Sequence, residues 1–206
     1  DTEILEKVLD TMVKFMEEKH KVGVASCQVL DFSGRLQPNG GDLPLGLALW
    51  SWILNLESIG FKKPAFHRND THYYQAAHEV GWVSGNFMIV RNEVFASVGF
   101  LSDDYFMYFE DVEFCYRAKR AGFEVWLNPE VKIKHLSGGS LDEPQFRQWS
   151  GELRGLILFY RRYYGNFLAF LVKLLVYFSL FLRIIAFLLL GRIDISKTYV
   201  KVITNF

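Results

Sequence analysis

From Phe167 to Leu190 the chain carries only two charged residues, Lys173 and Arg183, in an otherwise almost wholly apolar run. A run of that length is just enough to cross the hydrocarbon core of a bilayer, which takes about 20 residues. Each charge would cost about 2.5–3.5 kcal/mol at the bilayer centre, but both lie off-centre, where long side chains reach the headgroups. Basic residues flank the run on both sides, Arg161 and Arg162 before it and Arg192, Lys197 and Lys201 after it. Balanced flanks give no preferred direction of crossing, so a helix lying in the membrane plane is favoured over a span. The preceding stretch, Gln145 to Tyr164, reads as a helix carrying Arg147 and Arg154 besides the flanking arginines.

Half of the residues are apolar and 17% are aromatic, more than one soluble core of this size buries unless part of the surface meets lipid or a partner. Lys plus Arg and Asp plus Glu both number 23, so no basic balance points to nucleic acid. Cys27 and Cys115 each sit in an apolar run and read as buried thiols, as in a reducing compartment.

A second stretch, Phe106-Met107-Tyr108-Phe109-Glu110-Asp111-Val112-Glu113-Phe114-Cys115-Tyr116-Arg117, bears the chemistry. Phe114, Ala118 and Ala121 recur at helical spacing, so Glu110 and Asp111 open a helix that Gly122 closes. Carboxylates in a first helical turn face the positive dipole end and unpaired N–H groups, which keeps them ionised. Ionised acids there serve a metal or a proton transfer; they serve equally as a solvated cap.

Upstream, an apolar stripe predicts a helix over residues 3–18, with Thr2 as N-cap. Lys21 to Leu30 reads as a buried strand, Asp31 to Gly34 as a turn, and Arg35 to Gln37 as extended chain. Residues 41–66 are apolar but broken by Pro44, Gly46 and Gly60. They read as a helical insertion, at a membrane surface or simply packed. His67, His72 and His78 fit no strong metal-ligand spacing. Gly81 to Val90 reads as a strand, and Gly85 within it marks a close approach of backbone or ligand. A helix over 92–97 follows. Phe123 to Leu127 is a short strand closed by Asn128-Pro129. Val131, Ile133 and His135 then alternate with Lys132 and Lys134, which turns His135 inward. It is either a satisfied core histidine or a ligand beside Gly138-Gly139-Ser140, a loop whose backbone N–H groups can meet phosphates.

Val83-Ser84-Gly85-Asn86 through Arg91, Val98-Gly99-Phe100, Phe109-Glu110-Asp111, Arg117-Ala118 to Gly122, Asn128-Pro129, and His135 with Gly138-Gly139-Ser140 follow one another in an order that resembles family 2 glycosyltransferases. The rhamnosyltransferase-like enzymes of bacterial cell-surface polysaccharide synthesis are the nearest subgroup. The resemblance runs from Asp1 to about Gly165. It implies an α/β fold of the GT-A type, a mixed and mainly parallel sheet between helices. Residues 1–144 would be the C-terminal portion of that domain, its nucleotide-binding first part being absent, and residues 145–206 a helical, membrane-associated tail.

It further implies an inverting enzyme that moves a sugar from a nucleotide-diphosphate sugar to a lipid-linked or glycan acceptor at the cytoplasmic face of the membrane. Asp111 would be the base and Glu110 its support. Trp82, Ser84 and Gly85 would line the acceptor site, and Gly138, Gly139 and Ser140 the diphosphate. His135 and Asp1 would hold Mg or Mn, with Asp1 the surviving acid of an Asp-x-Asp-like motif or merely a frayed terminus. A non-catalytic membrane scaffold and a metal-dependent hydrolase using Asp111 and His135 stay open as alternatives.

Overall fold

The computed structural model describes residues 2–5, 7–56, 60–61, 64–105, 107–136 and 144–205. The chain divides into two compact units. The first holds residues 1–52, 56–102 and 111–140; the second holds 53–55, 103–110 and 141–206.

The first unit is built on a parallel pair of strands, β2 (Val22–Leu30) and β8 (Glu124–His135). β2 is buried on both faces because Val22, Val24, Ala25, Cys27 and Val29 leave no polar face to expose. Around this pair every other described pairing of the larger sheet is antiparallel. β1 (Thr2–Ile4) and β5 (His78–Glu79) pair with β8, and β3 (Leu36–Gln37) and β7 (Ile89–Val90) pair with β2. The sheet is therefore mixed, as expected, but its described pairings are mainly antiparallel rather than mainly parallel. A second, two-stranded sheet joins β4 (Gly40–Gly41) to β6 (Trp82–Val83).

Helix α1 (Val8–Glu18) lays Val8, Met12, Phe15 and Met16 on β2 and on Ile133 of β8. The expected helix over residues 3–18 is thus shorter at its start. Thr2–Ile4 instead forms the edge strand, and Lys7, with a left-handed φ of 65°, turns the chain into α1. Ile4 and Leu5 are exposed and have no core to enter as helical residues, whereas β8 offers an open edge for β1.

The strand expected over 81–90 is two short strands in different sheets, separated by a turn at 84–88. Nor does Asn128-Pro129 close a strand. β8 runs through it with a register shift, Asn128 facing Cys27 and Lys132 facing Gln28. A bulge absorbs the proline's missing N–H, and the Asn128 Oδ1 accepts the Glu130 N–H at 3.2 Å. Helices α2 (Gly46–Ile53) and α3 (Asn92–Val98) lie where the sequence places helical segments. Helix α4 (Glu110–Arg120) ends at Gly122, whose φ of 92° gives the left-handed stop.

The second unit is helical. Helix α5 (Pro144–Leu189) is broken at Gly165, where φ 87° and ψ 167° lie outside any helical region. The chain folds back there. Trp149 from the first half and Phe187 from the second both stack on Tyr199 of α6 (Ile193–Thr204), at 4.5 Å and 5.7 Å between ring centroids. In one unbroken helix those two residues would stand roughly 57 Å apart, at 1.5 Å per residue.

Gly151 and Gly155, one turn apart on the first half, admit the segment 107–109. A Cβ at Gly155 would lie 2.3 Å from the Phe109 Cβ, and one at Gly151 would lie 2.7 Å from the Met107 carbonyl oxygen. The second half buries Ala169, Val172, Val176, Ser179 and Leu180 and exposes Phe167, Phe170, Leu174, Phe178, Phe181 and Leu189, each 49–83% exposed. The Ser179 hydroxyl and the Arg183 guanidinium both donate to the Ile53 carbonyl, so Arg183 points to protein, away from the exposed apolar stripe.

Candidate active site

Helix α4 begins at Glu110, as its apolar spacing requires, and the residues before it are strained. Tyr108 and Phe109 have φ of 67° and 81°, values that bulky side chains rarely adopt. Each costs on the order of 1–3 kcal/mol, and such strain persists only where packing over-determines it. Phe109 is 2% exposed and packs edge-on to Phe159 at 5.9 Å, in the space that Gly155 leaves. The turn that presents the acidic pair is thereby fixed from behind.

Asp111 is only 9% exposed. Its Oδ2 accepts the Gly85 N–H at 3.0 Å, and its Oδ1 accepts the Val112 N–H at 2.8 Å. The turn carrying Gly85 is pinned at both ends. The Ser84 N–H donates to the Asn39 carbonyl at 2.9 Å, and the Ser26 hydroxyl donates to the Phe87 carbonyl at 2.8 Å. Asn39 is itself fully buried, its amide donating to Ser26 Oγ and to the Cys27 carbonyl. Backbone N–H groups from two segments thereby fix the orientation of this buried carboxylate.

Gly85 does not need to be glycine for space, since a Cβ there would meet Asp111 at an ordinary 3.8 Å. The close approaches lie elsewhere, at Gly41 and Gly81, where a Cβ would strike backbone at 1.9 Å and 2.3 Å.

Glu113, one turn further along α4, is fully buried but holds Arg117, whose Nε lies 2.9 Å from both of its carboxylate oxygens. Arg117 also donates to the carbonyls of Val98 and Phe100. This third acid of the stretch is thus committed to the fold. Cys115 is buried against the Val83 carbonyl, and burial pushes its thiol up to about 12, as it does that of Cys27.

Trp82 lies in an aromatic cluster. It is 5% exposed, stacks on Phe66 at 5.0 Å and donates its indole N–H to the Phe66 carbonyl. The structure therefore brings Ser84 and Gly85 to Asp111, while the Trp82 ring packs against Phe66.

His135 ends β8, opposite Thr2 of β1. Its Nδ1 lies 3.1 Å from Gln37 Oε1, at hydrogen-bond distance. Partial burial lowers the imidazole's pKa below its ordinary value. Gln37 is a partner that the sequence reading missed, since it lies on another strand and 98 residues away. Among the described residues no cluster of three or more His, Cys, Asp or Glu side chains could hold a metal ion. His67 packs edge-on to Trp52 and Trp82, and His72 and His78 bond to Gln75 and the Ala76 carbonyl. Asp1, Gly138, Gly139 and Ser140 lie outside the described residues.

The sequence model for glycosyl transferase family group 2 matches residues 1–200. A low-salt glycan biosynthesis hexosyltransferase of Haloferax volcanii is 42% identical over 41 residues, which is 20% of this chain and 13% of that protein. An N-acetylglucosaminyl-diphospho-decaprenol L-rhamnosyltransferase of Mycobacterium tuberculosis is 39% identical over 56 residues, 27% of this chain and 18% of that one. The rhamnosyltransferase WbbL of Escherichia coli is 38% identical over 134 residues, 62% of this chain and 46% of WbbL. The chain thus spans less than half the length of the curated relatives it matches.

Proposed function

Because the chain belongs to glycosyl transferase family group 2, we propose that its protein transfers a sugar, with inversion, from a nucleotide-diphosphate sugar to a hydroxyl of a lipid-linked or cell-surface glycan, with Asp111 as general base. The observation that carries this reading is the Asp111 carboxylate, almost buried and oriented by the Gly85 N–H. The carboxylate takes the proton of the acceptor hydroxyl as its oxygen forms the new bond to the anomeric carbon. The bond to the diphosphate breaks in the same displacement, and the nucleoside diphosphate leaves with the electron pair. Holding base and hydroxyl in line supplies most of the advantage over solution.

Glu110, adjacent at the helix start, supports the acceptor. Ser84 and Gly85 line its groove, with Trp82 backing that groove through the Phe66 stack. A diphospho-polyprenol-linked sugar is the acceptor class we favour, as in the name of the mycobacterial relative.

A divalent Mg or Mn ion, when bound, neutralises the leaving diphosphate. His135 fits such an ion. It is partly buried, which disfavours its charged form, and with the proton on Nδ1 facing Gln37 the imidazole would ligate through its other nitrogen. Asp1 would be its acidic co-ligand; the next residue, Thr2, is the strand partner of His135. Gly138, Gly139 and Ser140 would turn backbone N–H groups to the diphosphate.

The second half of α5, with its exposed apolar stripe, attaches the protein to the cytoplasmic face of the membrane, where a lipid-linked acceptor lies. The most apolar stretch of α5 is long enough to cross a bilayer by length and composition, and only 28% of it is buried within the protein.

The test is Asp111→Asn in the full-length enzyme. Turnover is expected to fall at least a hundredfold, within the ~10²–10⁴-fold range that general-base loss allows, with donor affinity kept. Turnover within a few-fold of wild type would remove Asp111 from this role.

A further inference from the structure

The second unit holds a cavity of about 620 Å³ that the catalytic residues do not use. Asp104 and Tyr108 line it from the segment before α4; Arg147, Ser150, Gly151 and Arg154 line it from α5. Arg147, Arg154 and Arg161 are seven residues apart, so they stand in a row on one helix face at about 10 Å intervals. Two smaller cavities continue the row. One, of about 160 Å³, is lined by Arg154, Arg161 and Lys173; the other, of about 460 Å³, by Asp104, Arg161 and Arg162. Together the three linings carry five cations and one carboxylate, that of Asp104, which pairs with Arg162.

We propose that this cavity grips the diphosphate of the lipid-linked acceptor, whose hydrocarbon tail lies along the exposed stripe that begins at Phe167. The proposal rests on the acceptor class named above. Guanidinium groups bind phosphate oxygens with two parallel N–H donors each, which suits a diphosphate better than a point charge does. Ser150 and Tyr108 add side-chain hydroxyls to the lining. Burial, and then the charges of Glu152 and Glu110, raise the pKa of the Tyr108 phenol, so it remains a donor.

Lys173, which lines the second cavity, belongs to the half of α5 that carries the apolar stripe. At the other end Tyr108 stands two residues before Glu110, a reach of at most about 7 Å of chain. Attraction to bilayer headgroups would be served by an exposed basic row alone; a cavity walled by Gly151 and Ser150 is shaped for one head.

Binding of farnesyl diphosphate, farnesyl monophosphate and farnesol to the chain in detergent tests this without any donor sugar. The diphosphate is expected to bind at least tenfold more tightly than farnesol. Arg147→Ala and Arg154→Ala are each expected to remove about tenfold of that affinity, and Arg154→Lys less, with helix content unchanged by circular dichroism. Because Arg154 also donates to the Asn205 carbonyl, the Arg147 variant is the one that decides if Arg154→Ala unfolds. Arg192→Ala, in the same unit but outside the cavity, is the control. Equal binding of farnesol, or an equal loss in Arg192→Ala, overturns the proposal. So does an equal loss by the Arg147 variant of binding to phosphatidylglycerol vesicles, which would make the row a headgroup anchor. The outcome is separable from that of the catalytic reading, since Asp111→Asn is expected to keep diphosphate-dependent binding whether or not it transfers sugar.

Discussion

The Gly85 N–H holds the Asp111 carboxylate across 26 residues of sequence, and Gln37 holds His135 across 98. Both acidic and imidazole groups stood out in the sequence because their types and local periodicity carry chemistry. Their partners did not, because a backbone N–H and a glutamine are chemically ordinary until the fold brings them close. For His135 the folded pKa lies below the ordinary 6.5 through burial. The folded state therefore disfavours its charged form. The stability it contributes is complete above pH 6.5 and is lost as pH falls through the lower folded midpoint. Titration of the His135 ring protons by NMR is expected to give a midpoint under 6.5; one at or above 6.5 would place the ring in water, away from Gln37.

At the scale of elements, legibility followed whether one segment's own pattern decided its structure. Helix α4 shows this, with periodic Phe114 and Ala118 and a glycine stop. The mistakes fell where a neighbour decided. β1 has helix-like apolar spacing but takes the free edge of β8, and β8 passes through Pro129 because a bulge and the Asn128 side chain absorb the break. Nothing in the local sequence of α5 reveals that Gly151 and Gly155 meet residues 107–109. Replacing a mid-helix glycine by alanine ordinarily stabilises by roughly 0.5–1 kcal/mol. Gly155→Ala is expected to do the reverse, by about 1–3 kcal/mol of overpacking against Phe109, and to lower turnover with it. Chemical denaturation and an activity assay on the same variant check both; a stabilised variant would show that the turn before α4 yields freely.

For the molecule as a whole, the apolar run was the plainest feature of the sequence, and its two charges were the hardest to place. The structure turns Arg183 onto the Ile53 carbonyl and the Tyr199 ring, and sets Lys173 over the Tyr177 ring. What stays outward is hydrocarbon. Full burial of each large apolar side chain is worth about 1.5–3 kcal/mol. A triple variant, Phe170→Gln, Phe178→Gln and Phe181→Gln, is therefore expected to move the protein from the membrane pellet to the supernatant. Retention in the pellet at high salt would assign attachment to another segment.

The turn at Gly165 also bears on how the proposed membrane attachment can be made. Trp149 and Phe187 return to one ring, so the two halves of α5 run side by side, and any depth reached by one is reached by the other. Were Phe167–Leu189 to traverse the membrane, Glu152 and Arg154 would be carried into the hydrocarbon with it, at about 2.5–3.5 kcal/mol apiece near the centre. On the membrane attachment proposed above, this favours a helix lying in the membrane plane over one that spans it. An epitope after Phe206 and one inserted in the Asp31–Gly34 turn are expected to share a compartment, both shielded from protease in sealed vesicles of native orientation and both cut once these are opened.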